Sequence, residues 1–167
     1  KRLFSIVRMT HKAPKNRPII ALYQPDIPQN TASIARTCAC LGADLEIIEP
    51  CGFFLSDKRF KRVVMDYMEI SNIKFYKSDR EFFDAKIGKR VILMTTKGKK
   101  IYSKFNFNFG DTLLFGRESS GVPSTIHLKI KEKLRIPMIK SKRSLNLSTS
   151  VSIVLSEHLR QTGYLNG

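Results

Sequence analysis

From residue 19 onward, short apolar runs alternate with stretches of helical spacing, and that alternation admits few folds. IIALY at 19–23 is a compact apolar run between Pro18 and Pro25, as expected of a strand buried on both faces. Further strand candidates are 45–49, 90–94 (RVILM), 112–115 (TLLF) and 134–136, with 73–76 a weaker one and Pro137 stopping the last. Between them the spacing predicts helices. One is capped by Asn30, repeats Ile34, Cys38 and Leu41, and ends at Gly42. Others cover 57–68 and 79–85, and a closing helix covers 148–162, capped by Ser148. Strands alternating with helices predict an α/β fold with a mostly parallel sheet and helices on both faces. No repeat or low-complexity linker interrupts the 167 residues. Residues 19–167 read as one domain and the basic, irregular 1–18 as an extension.

Composition then removes whole classes. At 42% hydrophobic the chain is not disordered, and no window approaches the ~20 apolar residues of a membrane helix. The apolar patch from Lys1 to Val7 is too short for a signal-peptide core, so the expected compartment is the cytoplasm. Three cysteines (38, 40 and 51) make no disulfide framework, and three scattered histidines adjoin no cysteine pair, so no metal is expected. Thirty Lys and Arg against fourteen Asp and Glu leave a net charge of +16. Such an excess repels itself in the folded state and is relieved by a polyanion, of which nucleic acid is the commonest. A genome biased toward lysine codons would also produce it. No helix-turn-helix or zinc pattern favours DNA.

The common nucleotide-binding glycine loops and the G-x-S-x-G elbow are absent. Instead, three polar loops follow apolar runs. The first, QPDIPQNTASIAR at 24–36, sets Asn30 and Arg36 six apart, about 1.7 helical turns, so they share a cavity only if Asn30 sits at the cap. The second, FGRESSGVP at 115–123, puts Gly116, Gly121 and Glu118 at the end of a buried strand, where open α/β sheets place ligands. The third, LRIPMIKSKRSLNLSTS at 134–150, offers Ser144, Asn146 and Ser148 ahead of the last helix. Each alone reads equally as a cap, a glycine turn or an ordinary loop; three behind three buried strands are harder to dismiss.

The ordered set LYQPDIPQNTASIARTCACLG, IIEPCGF, DKRFKRVVMDY, TTKG, LLFGRESSGVP, LRIPM and RSLNLSTSVSIVLSEHLRQTGY resembles the TrmL-type members of the SPOUT (SpoU–TrmD) RNA methyltransferases over about residues 19 to 164. The resemblance implies a deep C-terminal trefoil knot, S-adenosylmethionine held by knot-loop backbone, and an obligate homodimer whose site borrows residues across the interface. It implies methyl transfer to the ribose 2′-hydroxyl of cytidine or uridine 34, the wobble nucleotide of tRNA, in the cytoplasm, with no membrane or DNA partner. By position, the family's motif residues fall on Asn30, Arg36, Glu118, Ser144 and Asn146, and its cofactor-binding positions on Met94, Thr95, Gly116, Glu118, Ile136, Met138, Ser144, Leu145 and Leu147.

A guanidinium stays protonated at physiological pH, so Arg36 is better suited to orient a phosphate and steady a developing alkoxide than to act as a base. Glu118 is read as positioning the site. Basic clusters at Lys58–Arg62 (with Arg59 and Arg62), at Lys97–Lys104 and at Lys140, Lys142 and Arg143 are expected to meet tRNA phosphates; each could instead be a solvated face. The chain departs from the pattern at Arg117, where many relatives have proline, at Ser120, where they have arginine, and at Ala32 and Ser33, which replace a Gly–Asn pair. These departures leave open a SpoU-class enzyme for another tRNA position or for rRNA, or a non-catalytic RNA-binding protein of the same fold.

Overall fold

The computed structural model describes residues 16–54, 56, 58, 61–62, 73–140 and 143–164. Seven strands form one sheet: β1 (Ile19–Tyr23), β2 (Asp44–Ile48), β3 (Ile73–Tyr76), β4 (Val91–Met94), β5 (Lys100–Ile101), β6 (Thr112–Phe115) and β7 (Glu132–Arg135). Their order is β3-β2-β1-β6-β4-β7-β5, and each neighbouring pair is parallel. Among the elements whose residues are described throughout, four helices pack on it: α1 (Pro28–Leu41), α2 (Asp79–Ala85), α3 (Ser124–Lys129) and α4 (Leu147–Thr162).

Alternation along the strands divides the core. Ile20 and Leu22 of β1, Leu113 and Phe115 of β6 and Leu134 of β7 face α1 and α4, meeting Ala35, Cys38, Val151 and Leu155. Ala21, Tyr23 and Leu114 point the other way, toward Phe82 of α2 and Ile126 of α3. Side chains on successive strand positions leave opposite faces, so an apolar run with no alternation is what a sheet covered on both sides requires.

Several boundaries differ from the sequence reading. Asn30 does not cap α1: Pro28, its fixed φ suited to a first turn, starts the helix, and Asn30 is the third residue of that turn. The last helix begins one residue before Ser148 and is capped by Asn146, whose Oδ1 accepts from the amides of Ser148 and Thr149. β7 is 132–135 rather than 134–136; only Leu134 is fully buried there, which hid the strand among charged residues. β5 and α3 were not foreseen, being two and six residues long. The helix expected over 57–68 falls mostly outside the described residues, as does most of 1–18.

At the edge opposite the strand C-termini, α4 is tied to the sheet by polar contacts. His158, fully buried, directs Nε2 at the Asn108 carbonyl (3.0 Å), which can only accept, so Nε2 carries the proton. Beside it, buried Asp111 takes two hydrogen bonds from Arg90 and one from the Asn108 amide. Burial pushes the His158 pKa below its usual 6.5, against a smaller upward pull from the Asn108 carbonyl and Asp111 and with a downward push from Arg90. A group whose folded pKa is depressed stabilises the fold above its unfolded pKa, and that contribution is lost as pH falls through the folded value. Denaturant unfolding is therefore expected to show stability falling as pH drops below 6.5, with the slope reduced in His158→Gln.

Candidate active site

Because every ladder is parallel, all strands point their C-terminal ends at one rim, and the segments leaving β1, β4, β6 and β7 converge there. They enclose a cavity of about 530 Å³. The segment after β1 contributes Ile27 and Asn30; that after β4, Met94 to Lys97; that after β6, Gly116 to Val122; that after β7, Ile136, Met138 and Arg143 to Leu147. Every residue singled out above for cofactor binding (Met94, Thr95, Gly116, Glu118, Ile136, Met138, Ser144, Leu145 and Leu147) lines this one space.

The turn after β6 is shaped by its glycines. Arg117 and Gly121 exchange both backbone hydrogen bonds (3.1 and 2.9 Å), closing a tight hairpin with Glu118 at its tip. A Cβ on Gly116 would lie 2.5 Å from Gly121 backbone atoms, so only glycine allows the two limbs to approach this closely.

Three polar side chains distant in sequence meet across the cavity. Asn30 donates from Nδ2 to Glu118 Oε1 (3.1 Å), and Asn146 donates from Nδ2 to Asn30 Oδ1 (3.0 Å). The other carboxylate oxygen of Glu118 accepts from the Asp26 amide at 2.7 Å. Ser144 stands beside them as an exposed lining residue. Arg36 does not join this group: it is exposed on α1 and is not among the lining residues, since six positions carry it round the helix and away from Asn30. The condition that would have brought them together, Asn30 at the cap, is not met.

Of the residues assigned to RNA, Arg62, Lys140 and Arg143 are exposed, and Arg143 lines the cavity; Arg59 and Lys142 lie outside the described residues. Lys97 also lines the cavity, from the second basic cluster. Asp26 is a contributor that the sequence reading did not name. Its carboxylate meets Arg117 and Ser119, and the Arg117 hydrogen bond foremost, then Ser119, lowers its pKa to about 2 despite some desolvation. A carboxylate three residues after a proline-bounded strand was visible; its partners, some ninety positions away, were not. Cys51 is close enough to feel Glu118: burial first, then the charges of Glu49 and Glu118, push its thiol up to about 11, which disfavours the thiolate. Among the described residues no group of His, Cys, Asp and Glu is arranged to hold a metal ion, and no helix is long and apolar enough to cross a membrane.

The SpoU rRNA Methylase family model matches residues 17–156, and the chain belongs to that family. Within it, the sequence is 43% identical over 149 residues to a tRNA (cytidine(34)-2′-O)-methyltransferase of Beijerinckia indica, spanning 88% of this chain and 93% of that one. It is 44% identical over 147 residues to the enzyme of that name from Escherichia coli K12, spanning 87% and 94%. A solved structure giving insights into the 2-OH methylation of C/U34 on tRNA superposes with a TM-score of 0.83 at 38% identity, covering 87% of this chain and 96% of the other.

Asn146 serves both the helix and the cavity, and two substitutions separate these roles. Asn146→Ala is expected to cost about 1 kcal/mol of unfolding free energy through the lost cap. Asn146→Asp keeps the accepting oxygen and its charge suits the helix N-terminus, so its denaturation midpoint should stay near wild type although the donor to Asn30 is gone.

Proposed function

We propose that this protein transfers a methyl group from S-adenosylmethionine to the ribose 2′-hydroxyl of the wobble nucleotide, cytidine or uridine 34, of tRNA. The observation that carries the reading is the convergence of the family's motif positions, Asn30, Glu118, Ser144 and Asn146, on one cavity at the rim of a parallel sheet. Its volume is within the range of small-molecule cofactor sites, roughly 300–1,000 Å³. The donor set fits as well: backbone-rich loops and apolar Met94, Ile136, Met138, Leu145 and Leu147 suit an adenosine and thioether, and no metal is called for. When bound, the cofactor supplies an electrophilic methyl on sulfonium.

The chain's own residues do the positioning. Glu118 and Asn30 fix the rim, and Asn146 fixes the start of α4 against them. Arg143, Lys97 and exposed Lys140 and Arg62 supply cations for RNA phosphates, which set register without reading bases. Arg36 stabilises negative charge developing on the 2′-oxygen, a task for a protonated fork. Since Arg36 is exposed and outside its own chain's cavity, the reading includes a homodimer in which one copy completes the site of the other. A C-terminal trefoil knot belongs to this reading.

Mass spectrometry of tRNA incubated with protein and S-adenosylmethionine is expected to place one added methyl on the ribose of nucleotide 34. A methyl on another tRNA position or on rRNA would move the assignment elsewhere in the family. Arg36→Ala should lower kcat by about 100-fold while calorimetric affinity for S-adenosylhomocysteine stays unchanged. Mixing Arg36→Ala with Asn30→Ala copies should regain activity if the site is completed across a dimer.

Binding of tRNA should weaken with salt, log Kobs falling against log[salt] with a slope on the order of −3, and losing roughly 0.7 to 0.9 of slope for each of Arg62→Ala, Lys140→Ala and Arg143→Ala. A flat plot would leave these cations without phosphate partners.

A further inference from the structure

The hairpin after β6 draws its shape from its own backbone, through the paired bonds between Arg117 and Gly121. Shape does not fix position: a hairpin of this kind can still pivot on the end of its strand. Its placement against the segment after β1 comes from Asp26, which touches three consecutive residues of the turn with three different groups. Oδ1 accepts from Arg117 Nε (3.2 Å) and from the same guanidinium's terminal nitrogen (2.5 Å). Oδ2 accepts from the Ser119 amide (3.0 Å) and hydroxyl (2.6 Å). The Asp26 amide donates to Glu118 Oε2 (2.7 Å).

Asp26 is itself held from behind. The Gly52 amide donates to the Pro25 carbonyl at 2.8 Å, and a Cβ on Gly52 would come within 2.9 Å of the Asp26 Cα. Contact thus runs from the 49–54 segment through Asp26 to the Glu118 tip, and from Glu118 through Asn30 to Asn146.

From this arrangement we infer that Asp26 is a positioning residue for methyl transfer, acting through Arg117 and Ser119 to seat the Glu118 hairpin against Asn30. The inference rests on the function proposed above. It also accounts for the arginine that departs from the family pattern at 117: a guanidinium there grips Asp26, a contact proline cannot make. Both partners keep substantial exposure, 21% for the Asp26 side chain and 31% for Arg117. Solvent screening at a part-exposed pair limits its contribution to global stability to a modest one, of the sign the lowered Asp26 pKa implies. Removal of the pair should therefore be felt in catalysis far more than in unfolding.

The test uses Asp26→Ala, Arg117→Ala and the double variant, each measured three ways: thermal midpoint, hydrogen–deuterium exchange of the 115–123 segment without ligand, and kcat and KM on tRNA. Either single change is expected to speed exchange in 115–123 while exchange in β1 and β6 stays slow. It should lower kcat by about 10- to 100-fold, as a small misplacement of a positioned group can, with the thermal midpoint and the KM for tRNA nearly unchanged. The double variant should lose no more than the worse single one, because each side chain acts through the other.

Unchanged exchange in both single variants would overturn the inference, as would kcat within twofold of wild type or losses that multiply in the double variant. If the wild-type protein neither binds S-adenosylhomocysteine nor methylates RNA while exchange responds as expected, the functional reading falls and the positioning role in catalysis falls with it, leaving only a structural clamp. Activity in wild type with no loss in the variants sinks the inference alone.

Discussion

The site depends on the placing of β6 between β1 and β4 with all three strands parallel. Every residue of β6 is buried, and each large apolar side chain withdrawn from water there contributes roughly 1.5–3 kcal/mol. A strand paired on both sides and covered on both faces cannot slide by one residue without exchanging its core-facing sets, so its end is fixed. Gly116 follows at once and turns the chain between the segments after β1 and β4. Residues about ninety positions apart, such as Asn30 and Glu118, thereby become hydrogen-bonding neighbours.

What the sequence disclosed follows from how strongly each feature depends on local signals. IIALY and TLLF matched their strands residue for residue, because burial on both faces leaves an uninterrupted apolar run. The cavity's lining was also legible, through motifs that end those runs. Caps were less so: Pro28, Asn30, Asn146 and Ser148 all suit a helix start, and tertiary contacts decided among them. Asn30 is drawn to Glu118 rather than to its own helix's amides, and Asn146 takes the cap that Ser148 was expected to fill. Asp26 stayed hidden because nothing in QPDIP distinguishes a loop aspartate from one held by Arg117 and Ser119. Arg36 shows the opposite limit: its motif was plain, but whether it faces its own cavity depends on the helix start, three residues earlier than expected.

The direction of the hydrogen bonds across the rim can be reasoned from one end. An ionised carboxylate only accepts, so Asn30 must turn its NH₂ toward Glu118 and leave its oxygen for Asn146. Asn146 must then present its own NH₂, leaving its oxygen to face the α4 amides of Ser148 and Thr149. Both amide orientations follow from the charge at the far end, and the partial positive charge of the helix start is relayed through two side chains toward that carboxylate. The polarity runs one way along its whole length. Glu118 is thus committed at both oxygens, to Asn30 and to the Asp26 amide. Arg36, which the proposed function makes the charge-stabilising group, is displayed on an exposed face of α1 and lies outside this wall.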